Sequence, residues 1–379
     1  MKVALVSSGS GSRGGGELYL RVLAQGLMAL GHDVLVLIPD HPRMDEFATQ
    51  MGAIPTRRFA FCTTYDRPTR ALGAWADLRQ RRRLTGLFAT LDVDVLHINQ
   101  QVAEDALDLV LAAAASGKPW LSTIHVGHAA RDLGARLGGL RDRVTAHVLG
   151  RLRGHHIAVS TATCQQLTAR LGPVTLHPVP NGVAVPDPDA LTRARAQARA
   201  DWGVHDDTIV LGTVGRIAAQ KAPLALVDHT AATGQTRVQL VWIGDGDLRD
   251  SLTARAAKAS LPLHVDGWRD DAALRLAGLD IFVLPSLFEG LPLALLEAMH
   301  AGLPIAASRA DGIAEALTHP VTGLMCDSDD GWRDALQRLI TDQALRLRLG
   351  AAARGTARDR FSAAAMARAT ADLYAQVQR

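Results

Sequence analysis

Short apolar runs, rich in β-branched residues, alternate along the chain with longer Ala- and Leu-rich segments of helical periodicity. In the first half the runs are KVALVSS, DVLVLIP, DVLHIN, PWLSTIH, HHIAVS and VTLHPVPNG. In the second half they are TIVLGTVGRI, VQLVWIGDG, LPLHVDGW, LDIFVLPS and LPIAASRA. Apolar strands that alternate with helices are typical of βαβ units, so the pattern predicts an α/β protein with mostly parallel sheets.

The alternation is interrupted by the polar stretch PDPDALTRARAQARADWGVHDD, which follows Gly182. A chain of 379 residues is also longer than one ordinary core requires. We therefore expect two doubly wound domains, covering 1–185 and 186–355 and joined near 183–205. The segment 356–379 has the apolar spacing of an amphipathic helix. Open parallel sheets bind ligands at the carboxyl ends of their strands, so the residues just after each run are the first site candidates.

The composition is that of a globular protein, with 48% hydrophobic and 21% charged residues. No apolar stretch reaches the roughly 18 residues of a membrane span, and the apolar run at the N-terminus is too short for a signal peptide. We therefore expect a cytoplasmic protein. The cysteines are Cys62, Cys164 and Cys326, and their wide spacing favours free thiols over disulfides or zinc ligands.

Positive charge is concentrated in the first half of the chain. Residues 1–180 carry 20 Lys and Arg against 14 Asp and Glu, whereas the remainder carries 21 against 24. Much of the surplus lies in 57–83, and a second basic segment covers 131–153. Two interpretations stay open, namely contact with an anionic lipid or phosphorylated acceptor at the inner membrane face, or a solvated helix face. We expect no nucleic-acid partner.

A glycine-rich loop, SGSGSRGGGELYL, follows the first apolar run and opens a helix. Gly9, Gly11 and Gly14 match the GxGxxG spacing of dinucleotide sites, and Asp40 is a candidate for the acid that such sites place after the second strand. Glycines there let the backbone approach a pyrophosphate at the positive end of a helix. A lone GxGxxG among 34 glycines is a weak signal, so we favour a phosphate or sugar site and keep NAD binding as the alternative.

Two cations follow the first apolar run of the second half, in GTVGRIAAQKAP. Arg216 and Lys221 can hold a diphosphate, Arg through two parallel hydrogen bonds and Lys as a point charge. The alternative is a solvated loop, but Lys221 is one of only four lysines among 41 basic residues. Neither a DxD motif nor a His/Asp cluster occurs within this stretch. We therefore expect no metal and no other cofactor, with fixed cations neutralising the leaving phosphate.

Two acids flank an apolar run in FEGLPLALLEAM. Glu289 falls in the loop after a predicted strand, and Glu297 lies inside the helix that follows. A carboxylate in such a setting is costly unless it accepts hydrogen bonds, and sugar or ribose hydroxyls are the obvious donors. The backbone N–H groups of Gly290, Leu291 and Leu293 would meet a negative diphosphate. The alternatives are an acid that only stabilises the helix start and an acid on an exposed helix face.

Polar side chains also end the apolar runs of the first half. His125 of TIHVGH is the first candidate for a group near the reacting atoms, while His97, Asn99 and His128 are candidates for the acceptor side. An imidazole can act as an acid or a base near neutral pH. The alternative is a hydrogen-bonded structural role, since the chain has 14 histidines.

Taken in order, these motifs resemble those of the family-4 retaining glycosyltransferases of GT-B fold. The likeness rests on GGGELYLRVLAQGLMALGHDV, DVLHIN, STIHVGH, IAVSTAT, PNGV, GRIAAQK, WIGDGDL, HVDGWRDD and PSLFEGLPLALLEAMHAGLPIAAS, and on RFSAAAMARATADLY near the C-terminus. It covers nearly the whole chain. The resemblance implies two Rossmann-like domains facing across a cleft, with the helix 356–379 crossing back to complete the first domain.

The resemblance also implies roles for individual residues. Arg216 and Lys221 match the pair that binds the donor diphosphate. Glu289 matches the acid that contacts donor-sugar hydroxyls, and Glu297 matches the acid on the ribose. His125 matches a histidine close to the reacting sugar and the acceptor. The remaining donor-side positions are the phosphate-approaching glycines, a glycine of the second domain and the wall near the base, namely Gly14, Gly15, Gly244, Trp268 and Arg269.

By this resemblance we expect a metal-independent hexosyltransferase that moves a sugar, with a UDP-sugar favoured, to an acceptor hydroxyl with retention of configuration. The acceptor would be a glycan or lipid-linked intermediate of cell-envelope polysaccharide or glycolipid assembly, or a small soluble metabolite. The other functions kept open are a sugar-nucleotide epimerase, an NAD-dependent oxidoreductase and a non-catalytic sugar-binding protein. The chain departs from the family at Ala184, where an acid is common, and in SRADGIAEAL, which lacks a doubled glycine. We expect neither departure to touch the core constellation, which is the set Arg216, Lys221, Glu289 and Glu297.

Overall fold

The computed structural model describes residues 1–205 and 207–378, and the chain divides into two compact units. Unit 1 comprises Met1–Gly182 and Ala363–Arg379, and unit 2 comprises Val183–Ser362. Each unit packs its own apolar core around its own parallel sheet. None of the helices in the described ranges is both long and apolar enough to cross a membrane.

In unit 1, strands and helices alternate along the chain. The strands are β1 (Lys2–Ser7), β2 (Asp33–Pro39), β3 (Thr56–Phe59), β4 (Val95–Val102), β5 (Trp120–Val126), β6 (His155–Ala158) and β7 (Thr175–Pro178). The helices are α1 (Gly15–Ala29), α2 (Asp45–Gln50), α3 (Ala71–Ala76), α4 (Leu78–Thr90), α5 (Leu107–Ala115), α6 (Gly138–Leu149), α7 (Thr161–Leu171) and, from the C-terminus, α16 (Ala363–Val377). The parallel sheet has the order β3-β2-β1-β4-β5-β6-β7.

Unit 2 repeats this plan with a smaller sheet. Its strands are β8 (Ile209–Val214), β9 (Val238–Ile243), β10 (Leu263–Gly267), β11 (Ile281–Leu284), β12 (Ile305–Ser308) and β13 (Leu324–Cys326). Its helices are α8 (Pro188–Asp201), α9 (Pro223–Ala231), α10 (Arg249–Lys258), α11 (Ala272–Arg275), α12 (Leu293–Ala301), α13 (Asp311–Ala316), α14 (Asp329–Thr341) and α15 (Gln343–Arg360). The strands are parallel in the order β10-β9-β8-β11-β12-β13.

The strand order of each sheet reverses beside the first strand of the unit. β1 lies between β2 and β4, and β8 lies between β9 and β11. Connections that leave such neighbours run in opposite directions, which opens a crevice outside the carboxyl ends of the strands. Each unit therefore has one place where its own loops are best arranged to bind a ligand.

The prediction of two doubly wound parallel sheets is confirmed, and each of the apolar runs contains a strand. The pattern missed β3 and β13. β3 reads TRRF, with most of its residues at the surface, because an edge strand needs no continuous apolar run. β13 is only three residues long, which is too short for a periodic signal.

Two expectations about the connecting segments need correction. The polar stretch after Gly182 is largely a helix of unit 2, α8, whose Asp187 side chain accepts from the first-turn amides. The segment 356–379 is not one helix, because α15 continues to Arg360 and α16 begins at Ala363; its last residue, Arg379, lies outside the described residues.

The C-terminal helix packs against unit 1, as the family resemblance implied. A Cβ added to Gly26 of α1 would lie 2.7 Å from the Ala367 Cβ of α16, so the two helices meet at a glycine. The Tyr374 hydroxyl of α16 forms a hydrogen bond with Nδ1 of His97 in β4, and the two atoms lie 2.7 Å apart. α16 therefore packs into unit 1 although the 180 residues of unit 2 separate it from the rest of that unit in sequence.

Candidate functional site

In unit 2 the loops after β8 and β9 are packed backbone against backbone. The carbonyl oxygen of Gly215 accepts from the indole N–H of Trp242 at 2.7 Å. A Cβ added to Gly244 would lie 2.2 Å from that same oxygen, and Gly244 has a φ of +141°. Only glycine fits both conditions. Gly244 therefore shapes the loop that carries Arg216 and Lys221.

Lys221 and Glu289 form an ion pair at the carboxyl ends of β8 and β11. The Lys221 Nζ lies 2.5 Å from Glu289 Oε1, and the two side chains are 16% and 7% exposed. Two further hydrogen bonds join the loops, from the Leu287 amide to the Gln220 carbonyl at 2.8 Å and from Gln220 Nε2 to the Phe288 carbonyl at 3.0 Å. The pair is therefore held in place by the backbone around it.

Arg216 lies at the surface of the same loop. Its guanidinium makes no ion pair with the residues in the described ranges, whereas the ammonium of Lys221 is neutralised by Glu289. The loop thus presents one exposed cation and one cation that a carboxylate holds in position. This arrangement suits a ligand that places an anionic group at the two cations and a hydrogen-bond donor at the carboxylate.

The turn at Glu289 rests on the residues that follow β12. The Glu289 amide lies 3.4 Å from Asp311 Oδ2, its nominal acceptor. A Cβ added to Gly312 would lie 1.6 Å from the Gly290 carbonyl oxygen. The expectation that the SRADGIAEAL departure leaves the constellation untouched is therefore wrong, because Asp311 and Gly312 directly support it. The signal in the sequence was the Asp-Gly dipeptide, which marks a tight turn.

Helix α12 begins directly after this turn. Gly290, Leu291 and Leu293 are buried and lead into its first turn, where the backbone N–H groups have no partners within the helix itself. Glu297 lies further along α12 and is half-buried, with interactions to other residues. The positive end of α12 and Glu289 therefore lie just beyond the carboxyl end of β11.

Trp268 and Arg269 follow β10, the edge strand of the sheet. Trp268 is half-buried, and the exposed Arg269 donates from Nε to Asp271 Oδ1 at 3.1 Å. Both residues therefore directly follow a strand that pairs with β9 and lies two strands from β8.

The glycine-rich loop of unit 1 ends at Gly14, the N-cap of α1. A Cβ added to Gly15 would meet no atom within 4 Å, whereas one on Gly14 would lie 2.7 Å from Glu17 Oε2. A Cβ on Gly16 would lie 1.8 Å from Gln101 Nε2. Gly15, like Gly11, is thus an open position of the loop, while Gly14 and Gly16 are glycines because side chains occupy the space behind them.

His125 is the penultimate residue of β5 in unit 1 and is held by Asn99 of β4. The Asn99 Nδ2 donates to the Gly16 carbonyl at 3.1 Å, which leaves Asn99 Oδ1 to accept from His125 Nε2 at 2.7 Å. The proton therefore lies on Nε2, and Nδ1 carries the lone pair. Tyr19 packs edge-on against the imidazole, with ring centroids 4.7 Å apart.

The imidazole of His125 is neutral in this setting. Burial lowers its pKa to about 3, and the residue is 8% exposed. At neutral pH it can accept a hydrogen bond through Nδ1, but it holds no second proton to donate. Of the acid and base roles open to a histidine, a proton donor does not fit this neutral ring, and His125 stays a candidate that accepts a hydrogen bond.

His97 and Asn99 are not exposed to an acceptor, contrary to expectation. Both are completely buried. His97 Nδ1 lies 2.7 Å from the Tyr374 hydroxyl, and its Nε2 lies 2.7 Å from Thr123 Oγ1. Burial lowers the pKa of His97 to about 3. His97 therefore ties α16 to the sheet, Asn99 orients His125, and only His128, half-buried in the loop after β5, remains on the surface side.

Within residues 1–205 and 207–378, no three His, Cys, Asp or Glu side chains form a group that could hold a metal ion. The cysteines of these ranges are unpaired thiols. The described residues of unit 2 offer fixed cations, carboxylates and helix-terminal amides, and those of unit 1 offer a neutral imidazole.

Comparison with known proteins yields one family model for each part of the chain. The model described as Glycosyltransferase Family 4 matches residues 13–185, and the model described as Glycosyl transferases group 1 matches residues 208–342. Relatives include a lipopolysaccharide core biosynthesis glycosyltransferase, LpsD of Rhizobium meliloti (strain 1021), which is 36% identical over 190 residues. That match covers 48% of this chain and 55% of LpsD, so it spans about half of the relative.

Longer matches extend over both units. A D-inositol 3-phosphate glycosyltransferase of Pseudarthrobacter chlorophenolicus is 28% identical over 376 residues, covering 91% of this chain and 86% of that protein. The crystal structure of Anabaena HepE in complex with UDP and glucose has a TM-score of 0.80 and 20% identity, and the match covers 99% of this chain and 100% of that one. This last likeness concerns the fold. With a model matching in each half and the fold shared over the full length, the chain belongs to the family-4 glycosyltransferases of GT-B fold.

Proposed function

We propose that the chain transfers a sugar from a nucleotide diphosphate sugar to an acceptor hydroxyl. The observation that carries this proposal is the Lys221–Glu289 pair at the strand-order reversal of unit 2, beside the exposed Arg216. A diphosphate suits the two cations, and sugar hydroxyls suit the carboxylate, so a bound donor would satisfy both partners of the pair at once. A UDP-sugar is the favoured donor, which is supported by the complexes of HepE with UDP and with UDP-glucose.

The donor-side roles follow the same chemistry. Arg216 and Lys221 stabilise the charge that develops on the departing diphosphate, helped by the amides at the start of α12. Glu289 accepts hydrogen bonds from the sugar, and Glu297 accepts them from the ribose. The wall near the base is formed by Trp268 and Arg269. Gly15, an open glycine at the start of α1, is a position of unit 1 at which a phosphate can come close to the backbone.

The transfer is proposed to retain the configuration at the anomeric carbon. The bond between that carbon and the diphosphate oxygen breaks while the acceptor oxygen bonds to it from the same face, and the acceptor proton passes to the departing diphosphate oxygen. No carboxylate nucleophile is required on this route. His125 contributes a hydrogen-bond acceptor through Nδ1, because its imidazole is neutral. The transfer is proposed to need no metal, which an assay with and without a chelator checks.

The acceptor is proposed to be a glycan or lipid-linked intermediate of cell-envelope assembly, which the name of LpsD supports. A surface of unit 1 fits an anionic membrane. Arg58 and Arg67 of the basic segment are held in ion pairs with aspartates, but Arg79 and Arg82 of α4 are exposed. The apolar side chains of Trp75 and Leu78 beside them are 41% and 55% exposed.

Vesicle sedimentation tests this membrane contact. Replacing Arg79 and Arg82 with Gln should reduce binding to vesicles containing phosphatidylglycerol and leave the weak binding to phosphatidylcholine unchanged. The matched control replaces Arg193 and Arg237 of unit 2, whose side chains are 74% and 77% exposed. Equal loss in both double variants, or none in either, would contradict the membrane contact and favour a small soluble acceptor.

A thermal-shift panel with UDP, GDP, ADP, dTDP and NAD(P)H tests the donor class. Stabilisation by one nucleoside diphosphate supports the proposal and names the base. Stabilisation by NAD(P)H alone would instead support the oxidoreductase. One observation speaks against that function: Asp40, the candidate acid of a dinucleotide site, lies 3.5 Å from Arg58 in an ion pair. Incubation of the identified donor sugar without any acceptor distinguishes the epimerase, which would convert it. Donor binding without transfer to any acceptor would leave a sugar-binding protein.

A further inference from the structure

A carboxyl group lies buried beneath the glycine-rich loop of unit 1, and none of the roles above uses it. Glu17, in the first turn of α1, is completely buried. Its Oε1 accepts from the Ser10 hydroxyl at 2.7 Å, whereas Oε2 has no hydrogen-bond partner. Oε2 lies 2.7 Å from the position of a Cβ on Gly14, so it points at the backbone where the loop becomes the helix.

These surroundings favour the protonated form of Glu17. A buried carboxylate needs several donors or a cation, and here one hydroxyl donates to it at 2.7 Å, with the amides of Ser10 and Glu17 as weaker help. A second buried acid, Asp105, lies near enough for its charge to oppose ionisation of Glu17. Burial raises the pKa of Glu17 to about 7, more than Ser10 and the neighbouring amides lower it.

The charged and titratable groups around Glu17 are few. Asp105 is itself buried, and burial raises its pKa to about 6. Tyr65, whose hydroxyl lies 3.5 Å from Asp105 Oδ2, is the neighbouring phenol. Farther out, Glu104 forms an ion pair with Arg141, and Arg70 lies over the Tyr65 ring.

We propose that Glu17 works as a neutral carboxylic acid, a positioning residue that lets the glycine-rich loop accept the phosphate of the donor only while its proton is in place. The first turn of α1 attracts an anion through its amides. An ionised Glu17 directly behind Gly14 would oppose that anion, whereas the neutral acid leaves the attraction intact and can donate a hydrogen bond towards the loop. The inference rests on the proposed function only in naming phosphate as the anion.

The consequence is that donor binding and proton binding are linked. Donor affinity is at its full value while Glu17 is protonated and falls, by about tenfold per pH unit, once the pH exceeds the pKa of Glu17. The variant Glu17→Gln has the shape of the neutral acid and cannot ionise. Its affinity for the donor should therefore equal that of the wild type at acidic pH and stay constant as the pH rises.

Isothermal titration with UDP-glucose from about pH 6 to about pH 8.5 tests this linkage. We expect affinity to fall with pH in the wild type and not in Glu17→Gln. Ser10→Ala removes the hydroxyl that stabilises the ionised form and should move the fall to higher pH, while Asp105→Asn removes a negative charge and should move it to lower pH. Asp33→Asn, an exposed acid at the far end of β2, is the matched control and should behave as the wild type.

A parallel fall with pH in wild type and Glu17→Gln would overturn the inference, because the ligand or another group would then titrate. The infrared difference spectrum between these two proteins gives a readout that needs no ligand. A protonated carboxylic band at about pH 6 that fades at about pH 8.5 is expected, and its absence at the lower pH would also overturn the inference. If no nucleotide sugar binds at any pH, the proposed function fails, and the infrared band still decides whether Glu17 holds its proton.

Discussion

Lys221 Nζ lies 2.5 Å from Glu289 Oε1 although 68 residues separate the two in sequence. They meet because β8 and β11 are neighbours in the sheet and both loops leave from the carboxyl ends of these strands. The loops around this buried ion pair fix both side chains. The Lys221 ammonium is thereby oriented for an anionic ligand group, and the Glu289 carboxylate for a ligand group that donates hydrogen bonds. The pair is the most specific feature of unit 2.

Replacing either member of the pair should reduce transfer and have separable effects on binding. Glu289→Gln should lower kcat/KM by about 10²- to 10³-fold yet preserve stabilisation by the nucleoside diphosphate, because the carboxylate contacts the sugar. Lys221→Met should lose both the transfer activity and the stabilisation by the nucleoside diphosphate. Thermal shift and initial rates measure the two effects. Lys258→Met, at the exposed end of α10, is the control, and a loss in that variant equal to the loss in Lys221→Met would refute the assignment.

Gly312 should tolerate no side chain, since a Cβ there would lie 1.6 Å from the Gly290 carbonyl oxygen. Gly312→Ala is expected to lower the free energy of unfolding by about 1–3 kcal/mol and to displace the Glu289 turn, so that activity falls as well. Urea unfolding and turnover measure these effects. Gly355→Ala in α15, where no atom lies within 4 Å, is the control and should be neutral or stabilising. Equal stability of the two variants would contradict the contact.

Asn99 should control the protonation of His125 without touching a ligand. Asn99→Asp places a carboxylate against Nε2 and should raise the pKa of His125, since a negative neighbour favours the imidazolium. Asn99→Ala should leave the tautomer unspecified and lower turnover, on the order of 10²-fold if the ring also shifts. Nitrogen NMR of the ring, assigned with a His125→Ala spectrum, reports the tautomer. An unchanged spectrum in both Asn99 variants would show that Asn99 has no such role.

His97 should make part of the folding stability dependent on pH. Burial lowers its pKa to about 3, below the roughly 6.5 of an unfolded histidine. The stability from keeping it neutral is therefore fully present above about pH 6.5 and is lost by up to about 1.4 kcal/mol per pH unit as the pH falls towards the folded value.

The variant His97→Gln isolates this contribution. It should be less stable than the wild type by about 1–2 kcal/mol at neutral pH, through weakened bonds to Tyr374 and Thr123. The deficit should shrink on acidification, because glutamine does not titrate. The wild type and the variant have to be compared at each pH, because Glu17 and Asp105 act in the opposite direction. Their raised pKa values make the folded state more stable as the pH falls, in both proteins. A deficit that stays constant between neutral and acidic pH would contradict a neutral His97.

The sequence by itself determined the class of fold and which polar residues follow its strands. Buried parallel strands require apolar runs, so eleven strands could be read directly. Since ligands bind beyond the carboxyl ends of such strands, Arg216, Lys221 and Glu289 were named from their place after a run. These features are local in the chain, and a local pattern is enough to predict them.

The tertiary structure decided which of these residues meet and what state they are in. The contact of His97 with Tyr374 spans 277 residues, and that of Gly312 with Gly290 depends on the packing of two loops; neither leaves a periodic signal. Burial makes His97 and His125 neutral and raises the pKa of Glu17, whereas each of these residues would look like an ordinary ionisable group in the sequence. Charge state depends on desolvation and on neighbours from distant segments, and only the folded chain brings both about.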